Sequence, residues 1–339
     1  ELRHPAEHAV GFAMPVGLYA IIDSATRARS GLDPDSHRDR LAERASRFSQ
    51  IAAANPHAWD RRVREAGEIR ESGPRNPMQA FPYTRAHCSS WNVDQGAALL
   101  LCSLEKADEL EIPEHRRVFP LASAEANHMV PVSARADLAE VVGARLTANA
   151  ALAASGLSAG DIDLIELYSC FPVAVEAFAA AAGLQPDRDL SITGGMAFAG
   201  GPYNNYFLQA TARAAELLRA GAGQNALLSC ISGIMTKQAF AVWSAKAGVG
   251  PFARLDLTAE TAAQQRILEV HESYNGMARV AGCTVLHGRG EEPRVVALVD
   301  TPEGARAFAV SASPALVASF QQEEWVGRTV TVRNGELVP

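Results

Sequence analysis

The chain has 339 residues, 48% apolar and 20% charged, with a formal net charge of −7. This composition excludes disorder, collagen and coiled coil as whole-chain answers, and no stretch approaches the roughly 20 apolar residues of a membrane helix. Five cysteines (88, 102, 170, 230 and 283) form no CxxC pair, which argues against a metal site or a disulfide framework and fits a reducing, cytoplasmic setting.

The length suits two or three domains. The opening residues from Glu1 to Pro5 carry neither an initiator Met nor a hydrophobic leader, so a processed or truncated chain is expected. Only Lys106, Lys237 and Lys246 are lysines among 31 basic residues, a bias expected of a GC-rich bacterial genome.

In chain order, residues 10–29 carry an apolar face, residues 31–35 break it, and residues 36–55 restart a helix. In that second helix Leu41, Ala45, Phe48 and Ala52 recur at helical spacing between Arg and Glu, and Pro56 ends it. Gly73, Pro74 and Pro77 mark a loop. Residues 97–102, two Ala, three Leu and a Cys, form a continuous apolar run that predicts a strand buried on both faces. Beyond it, an Ala-rich helix over 149–155 closes at Gly156, and strict alternation predicts a strand over 161–168. A helix over 172–183, a Gly-rich turn at 194–201, a helix over 204–220 and a strand over 226–231 follow. Helices alternating with buried strands imply a layered α/β sheet. Short β runs at 295–299, 305–310 and 328–333, separated by turn residues, predict a small antiparallel barrel. Residues 251–339 hold 8 basic and 11 acidic side chains, a net charge of −3.

Chemistry is expected where strands give way to turns, the edge at which α/β sheets bind ligands. Tyr168, Ser169 and Cys170 offer a phenol, a hydroxyl and a thiol at one such end. Gly194-Gly195 through Gly200-Gly201-Pro202, followed by Asn204 and Asn205, form a second, where small residues let a backbone approach a ligand. Cys230 and Gly233 stand at a third. For each, tight turns and buried, inert thiols are the structural alternative.

Taken in order, these blocks resemble the thiolase superfamily, and most closely its sterol-carrier-protein-type and type-one thiolase-like proteins. The family's His-Asp-Cys-Phe block resembles Tyr168-Ser169-Cys170-Phe171, its Gly-Gly…Gly-His-Pro block resembles Gly194-Gly195…Gly200-Gly201-Pro202, and its Cys-x-Gly block resembles Cys230 to Gly233. Residues 19–56 resemble the helical region that covers coenzyme A, and Cys88 to Ala98 resembles the strand closing the first half. The resemblance implies a thiolase-like layered α/β fold with an incomplete first half, plus a small C-terminal antiparallel, OB-like barrel. The expected division is 1–80 helical loop region, 81–125 close of the first half, 126–250 second half and 251–339 barrel.

By the same resemblance the ligand is CoA or acyl-CoA, with no further cofactor and no metal. CoA is expected between the Arg-rich stretch 27–64 and the 168–205 turns. Cys230 takes the place of an acid/base cysteine and Tyr168 that of an oxyanion donor. Ser169, Cys170, Gly200, Gly201, Pro202, Asn204 and Asn205 border the acyl-CoA site. The family's catalytic His is Gly201 here, and its nucleophilic Cys lies in a lobe with no counterpart in this sequence; Cys88 and Cys102 do not occupy that place. Two readings follow, a degenerate acyl-CoA-handling protein or one part of an acetyl-CoA acetyltransferase completed by a missing lobe or a partner subunit. A third, a single-strand nucleic-acid binder, is disfavoured by the acidic barrel, whose Phe252, Tyr274, Phe308, Phe320 and Trp325 are not interleaved with Arg runs.

Overall fold

The computed structural model describes residues 2–288 and 290–338. After a short helix α1 (Pro5–Ala9), helices α2 (Pro15–Ser30) and α3 (Pro34–Ala54) each open on proline, whose missing N–H is no loss in a first turn. Gly31 ends α2 at φ 71°, and the Asp33 carboxylate caps α3 by accepting from the amides of Asp35 and Ser36. The chain then runs through α4 (Ala66–Arg70), a hairpin of β1 (Met78–Ala80) and β2 (Tyr83–Thr84), and α5 (Leu104–Glu109).

Next come β3 (Phe119–Asn127), α6 (Val142–Ser155), β4 (Leu164–Glu166), α7 (Pro172–Ala181), α8 (Gly195–Phe198), α9 (Asn205–Arg219), β5 (Asn225–Ser232), β6 (Lys237–Ser244), β7 (Ala253–Asp256) and α10 (Thr258–Gln264). Their strands form one mixed sheet in the order β4-β5-β6-β3-β7. Helices α6 and α7 lie over it, and Phe178 stacks on Phe240 at 5.3 Å in the core between them.

The remaining strands, β8 (Gly276–Leu286), β9 (Arg294–Asp300), β10 (Arg306–Ser311), β11 (Thr329–Arg333) and β12 (Glu336–Val338), close into a five-stranded barrel through a β11–β8 pairing. Helix α11 (Pro314–Gln322) crosses between β10 and β11, as in OB-type barrels. The barrel is not wholly antiparallel, because β10 and β12 pair in parallel. The reason is arithmetic: an odd number of strands in a ring cannot alternate direction throughout. The β1–β2 hairpin adds to the barrel at Ala80–Leu286, and α2, with Leu18, Ile21 and Ile22 buried, packs between barrel strand β8 and helix α7. There the backbone comes so close that a Cβ on Gly282 would stand 2.8 Å from the Ile21 carbonyl oxygen.

One expected strand does not form. Residues 97–102 carry no regular secondary structure and no strand partner among the described residues, and Leu100 is 98% exposed. A buried-strand pattern becomes a strand only when a neighbour supplies its hydrogen bonds, and none of the described residues does so here. The alternating run at 161–168 forms a strand only at Leu164–Glu166. No described helix is long and apolar enough to cross a membrane.

Candidate functional site

The ends of β4 and β5 and the 194–202 turn converge. Tyr168 donates its amide to Ser229 Oγ at 2.9 Å, which ties the two strand ends together. Ser169 Oγ accepts from the Met196 amide at 2.9 Å and so ties both to the Gly-rich turn. Beneath them Glu166, fully buried, accepts from Tyr206 Oη at 2.5 Å, from Ser191 Oγ at 2.9 Å and from the amides of Ile192 and Thr193. Burial raises its pKa against the pull of these donors. This carboxylate fixes the platform from below and faces no solvent.

The paired glycines serve packing. Gly194 has φ 102°, and a Cβ there would stand 2.5 Å from the backbone of Ala52 in α3; at Gly195 it would meet the Phe48 ring at 2.6 Å. The Gly194 and Gly195 amides both donate to Ser191 Oγ at 2.9 Å. With Met196 bound to Ser169, the first amides of this turn are already engaged within the protein.

Gly201 donates to the Ser90 carbonyl at 2.8 Å, and Ser90 returns bonds from its amide to Met196 and from its hydroxyl to Ala197. Gln95 Nε2 bonds the Ala199 carbonyl at 2.9 Å and the His57 carbonyl at 3.0 Å. Segment 89–95 is thereby laced onto the 196–201 turn. Pro202 is half-buried, Asn204 is exposed at the start of α9, and Asn205 reaches the Gln95 carbonyl at 3.5 Å.

The thiols here are electrostatically quiet. Burial pushes Cys170 and Cys88 up to about 12 and raises Cys230; the Tyr168 phenol is likewise raised by burial. Cys170 has Tyr19 of α2 as a further neighbour, whose ring stacks on Phe171 at 4.4 Å. Cys102 is exposed. No group of three or more His, Cys, Asp or Glu side chains among the described residues could hold a metal ion.

The arginines of 27–64 are largely committed. Arg40 and Arg44 pair with Glu176 at 3.1 and 3.0 Å, Arg47 with Asp189 at 2.7 Å, Arg27 with Glu324 at 2.9 Å and Arg64 with Asp60 at 2.7 Å; Arg29 pairs with Asp137. Arg38, Arg61 and Arg62 have no carboxylate partner among the described residues. A cavity of about 270 Å³ beside the turn is bordered by Asn55, His57, Gln95, Tyr206 and Arg213. A smaller one of about 30 Å³ lies under α3, against Phe48, His87, Ser169, Phe171, Met196 and Phe198. Sequence reasoning missed Tyr19, Ser90 and Glu166 as site residues. Only Glu166 carried a signal, a carboxylate in an otherwise apolar strand.

No protein-family model matches the sequence, and no curated protein matches it. Among solved structures, a monomeric SCP2-thiolase-like protein type 1 from Mycobacterium smegmatis aligns over 100% of this chain and 75% of its own, at 26% identity and a TM-score of 0.86. The Ltp2–ChsH2(DUF35) aldolase aligns over 71% of this chain and 66% of its own, at 18% identity and a TM-score of 0.58. Human mitochondrial 3-ketoacyl-CoA thiolase aligns over 68% and 60%, at 16% identity and a TM-score of 0.51. The latter two likenesses are of fold alone. The fold is thiolase-like.

Proposed function

We propose that this chain handles CoA or acyl-CoA through its thiolase-type fold, with a site whose own residues do not make a thiolysis centre. The supporting observation is the likeness along the whole chain to an SCP2-thiolase-like protein, combined with thiols that burial holds neutral. Thiolate chemistry needs a nucleophile, a base and oxyanion donors together. Position 201 offers no imidazole, and the neighbouring turn amides are already bonded. The CoA phosphates would find their cations at Arg61 and Arg62, which are exposed and have no carboxylate partner among the described residues. The assignment includes a cytoplasmic setting, in keeping with five free cysteines.

Calorimetry with CoA and an acetoacetyl-CoA thiolysis assay test this reading. Saturable binding that weakens at least tenfold in the Arg61→Ala/Arg62→Ala variant, with no thiolysis, is expected. No CoA binding would overturn the assignment, and thiolysis by this chain alone would overturn the degenerate site.

A second reading, one part of an active acyltransferase whose nucleophile comes from outside residues 1–339, is favoured by the unpaired apolar run with Leu100, Leu101 and Leu104 exposed. Thiolysis by a longer parent polypeptide, or by a complex with a partner subunit, would select it. The nucleic-acid reading is weakened because Phe308 is buried against Phe12 and Phe320 is buried with its ring stacked on Trp325 at 4.1 Å, so neither Phe is presented to bases.

A further inference from the structure

The turn that follows Cys230 stands in a conformation its side chains do not favour. Gly233, Ile234 and Met235, between β5 and β6, have φ of 59°, 55° and 60° in succession. Glycine tolerates this left-handed region, whereas in Ile and Met it brings Cβ against the carbonyl oxygen that follows. Such residues persist only where their surroundings hold them. The hold here is Arg135, 5% exposed, whose Nη2 donates to the Ile234 carbonyl at 2.6 Å and whose Nε donates to the Val130 carbonyl at 3.2 Å. Thr236 closes the turn, with its hydroxyl on the Gly233 carbonyl at 2.7 Å and its amide on the Ser232 carbonyl at 3.3 Å. Arg135 is itself held from the barrel. Arg306, 2% exposed at the start of β10, donates through Nη1 to the Arg135 carbonyl and through Nη2 to the Ala136 carbonyl at 3.0 Å. Its Nε pairs with Asp300 at the end of β9 at 2.7 Å.

We propose that Arg306 and Arg135 form a brace through which the barrel fixes the turn after Cys230 and so sets the accessibility of that thiol. Arg135 is the positioning residue, and Arg306 acts through it. A guanidinium suits both places, because its planar fork holds two carbonyls in one fixed geometry and a flexible ammonium does not. The turn has two arrangements open to it. It is left-handed while the Ile234 carbonyl is held, and it relaxes toward ordinary backbone once that carbonyl is released. Release loosens the Ser232–Lys237 end of the β5–β6 hairpin, two residues beyond Cys230 in the same strand. The brace gives the barrel a part in the candidate site although its own strands lie in another sheet. It concerns the protein's own side chains and holds whichever ligand the site takes.

The test uses the full chain and its Arg306→Lys variant, which keeps the charge and loses the fork. Iodoacetamide labelling of Cys230 and hydrogen exchange of the Thr236 amide should both accelerate about tenfold. Cys283, buried in β8, and the Leu298 amide of β9 report on the barrel itself and should stay within about twofold of the unmodified protein. Unchanged rates at Cys230 and Thr236 overturn the proposal. Acceleration that spreads equally to Cys283 and Leu298 overturns it too, because the barrel has then come apart rather than let go of the turn. Since Arg306 acts through Arg135, the double Arg306→Lys/Arg135→Lys variant should label at Cys230 no faster than Arg135→Lys alone; rates that multiply overturn the relay. The unmodified protein gives a reading that no misfolded variant can spoil. Labelled with ¹⁵N, it should show separate Nη signals for a fixed Arg135 guanidinium, and one averaged signal overturns the brace.

Discussion

A Cβ built on Gly201 would stand 2.2 Å from Ser89 Oγ and 2.8 Å from Met196 Cε. Ser89 therefore occupies the space that an imidazole at position 201 would need, and its own amide is held by the Cys170 carbonyl at 3.2 Å. The absence of a histidine at that turn is built into the packing around it.

Gly201→His should accordingly destabilise the protein by about 1–3 kcal/mol through overpacking and create no thiolysis. Urea unfolding and the acetoacetyl-CoA assay measure the two effects. Adding Ser89→Ala should recover part of the loss, since the two sites touch. An unchanged stability in the single variant would contradict the crowding described.

Gly194→Ala combines a φ of 102° with a contact 2.4–2.5 Å from Ala52, whereas Gly221→Ala has a φ of 73° and open space. Chemical denaturation should show a loss above about 3 kcal/mol for the first and about 1 kcal/mol for the second. Equal losses would mean that α3 does not press on the turn as described.

At pH 7 iodoacetamide should label exposed Cys102 first, with Cys88, Cys170 and Cys230 lagging at least tenfold because burial keeps them as thiols. Peptide mass mapping over time reads the order. Early modification of Cys170 would reveal an activated thiolate there.

Burial holds His87 down to about 4, against 6.5 for the free ring. As pH falls below 6.5 the unfolded chain takes up this proton and the folded chain does not. The stabilisation is therefore complete above about pH 6.5 and shrinks toward pH 4, by up to about 3 kcal/mol. Denaturant midpoints between pH 7.5 and 4.5 should fall more steeply for the unmodified protein than for His87→Phe; parallel curves would refute this.

Much of the second half was legible in the sequence, for a local reason. The Ala-rich stretch after Pro172 and the apolar run at 226–231 carry their period and their breakers within a few residues, and they become α7 and β5. The run at 97–102 carries an equally clear pattern, yet pairing is a property of two segments, and none of the described residues pairs with it. The longest strand among the described residues, β8, escaped notice because Gly282 interrupts its alternation and a register shift lies between Val280 and Gly282. His87 was invisible for another reason. Nothing near it in sequence shows that its Nε2 will be buried without a hydrogen-bond partner.

Helix α2 is locked to the barrel by a bond from the Cys283 amide to Ser24 Oγ at 2.8 Å, spanning 259 residues of sequence. On a ribosome adding about 5–20 residues per second, the face bearing Leu18, Ile21 and Ile22 therefore waits roughly 13–50 s for its strand to emerge. Throughout that interval the nascent chain shows an oily, unpartnered helix face. Its yield in a host cell should depend on how well chaperones shelter that helix until synthesis reaches the barrel.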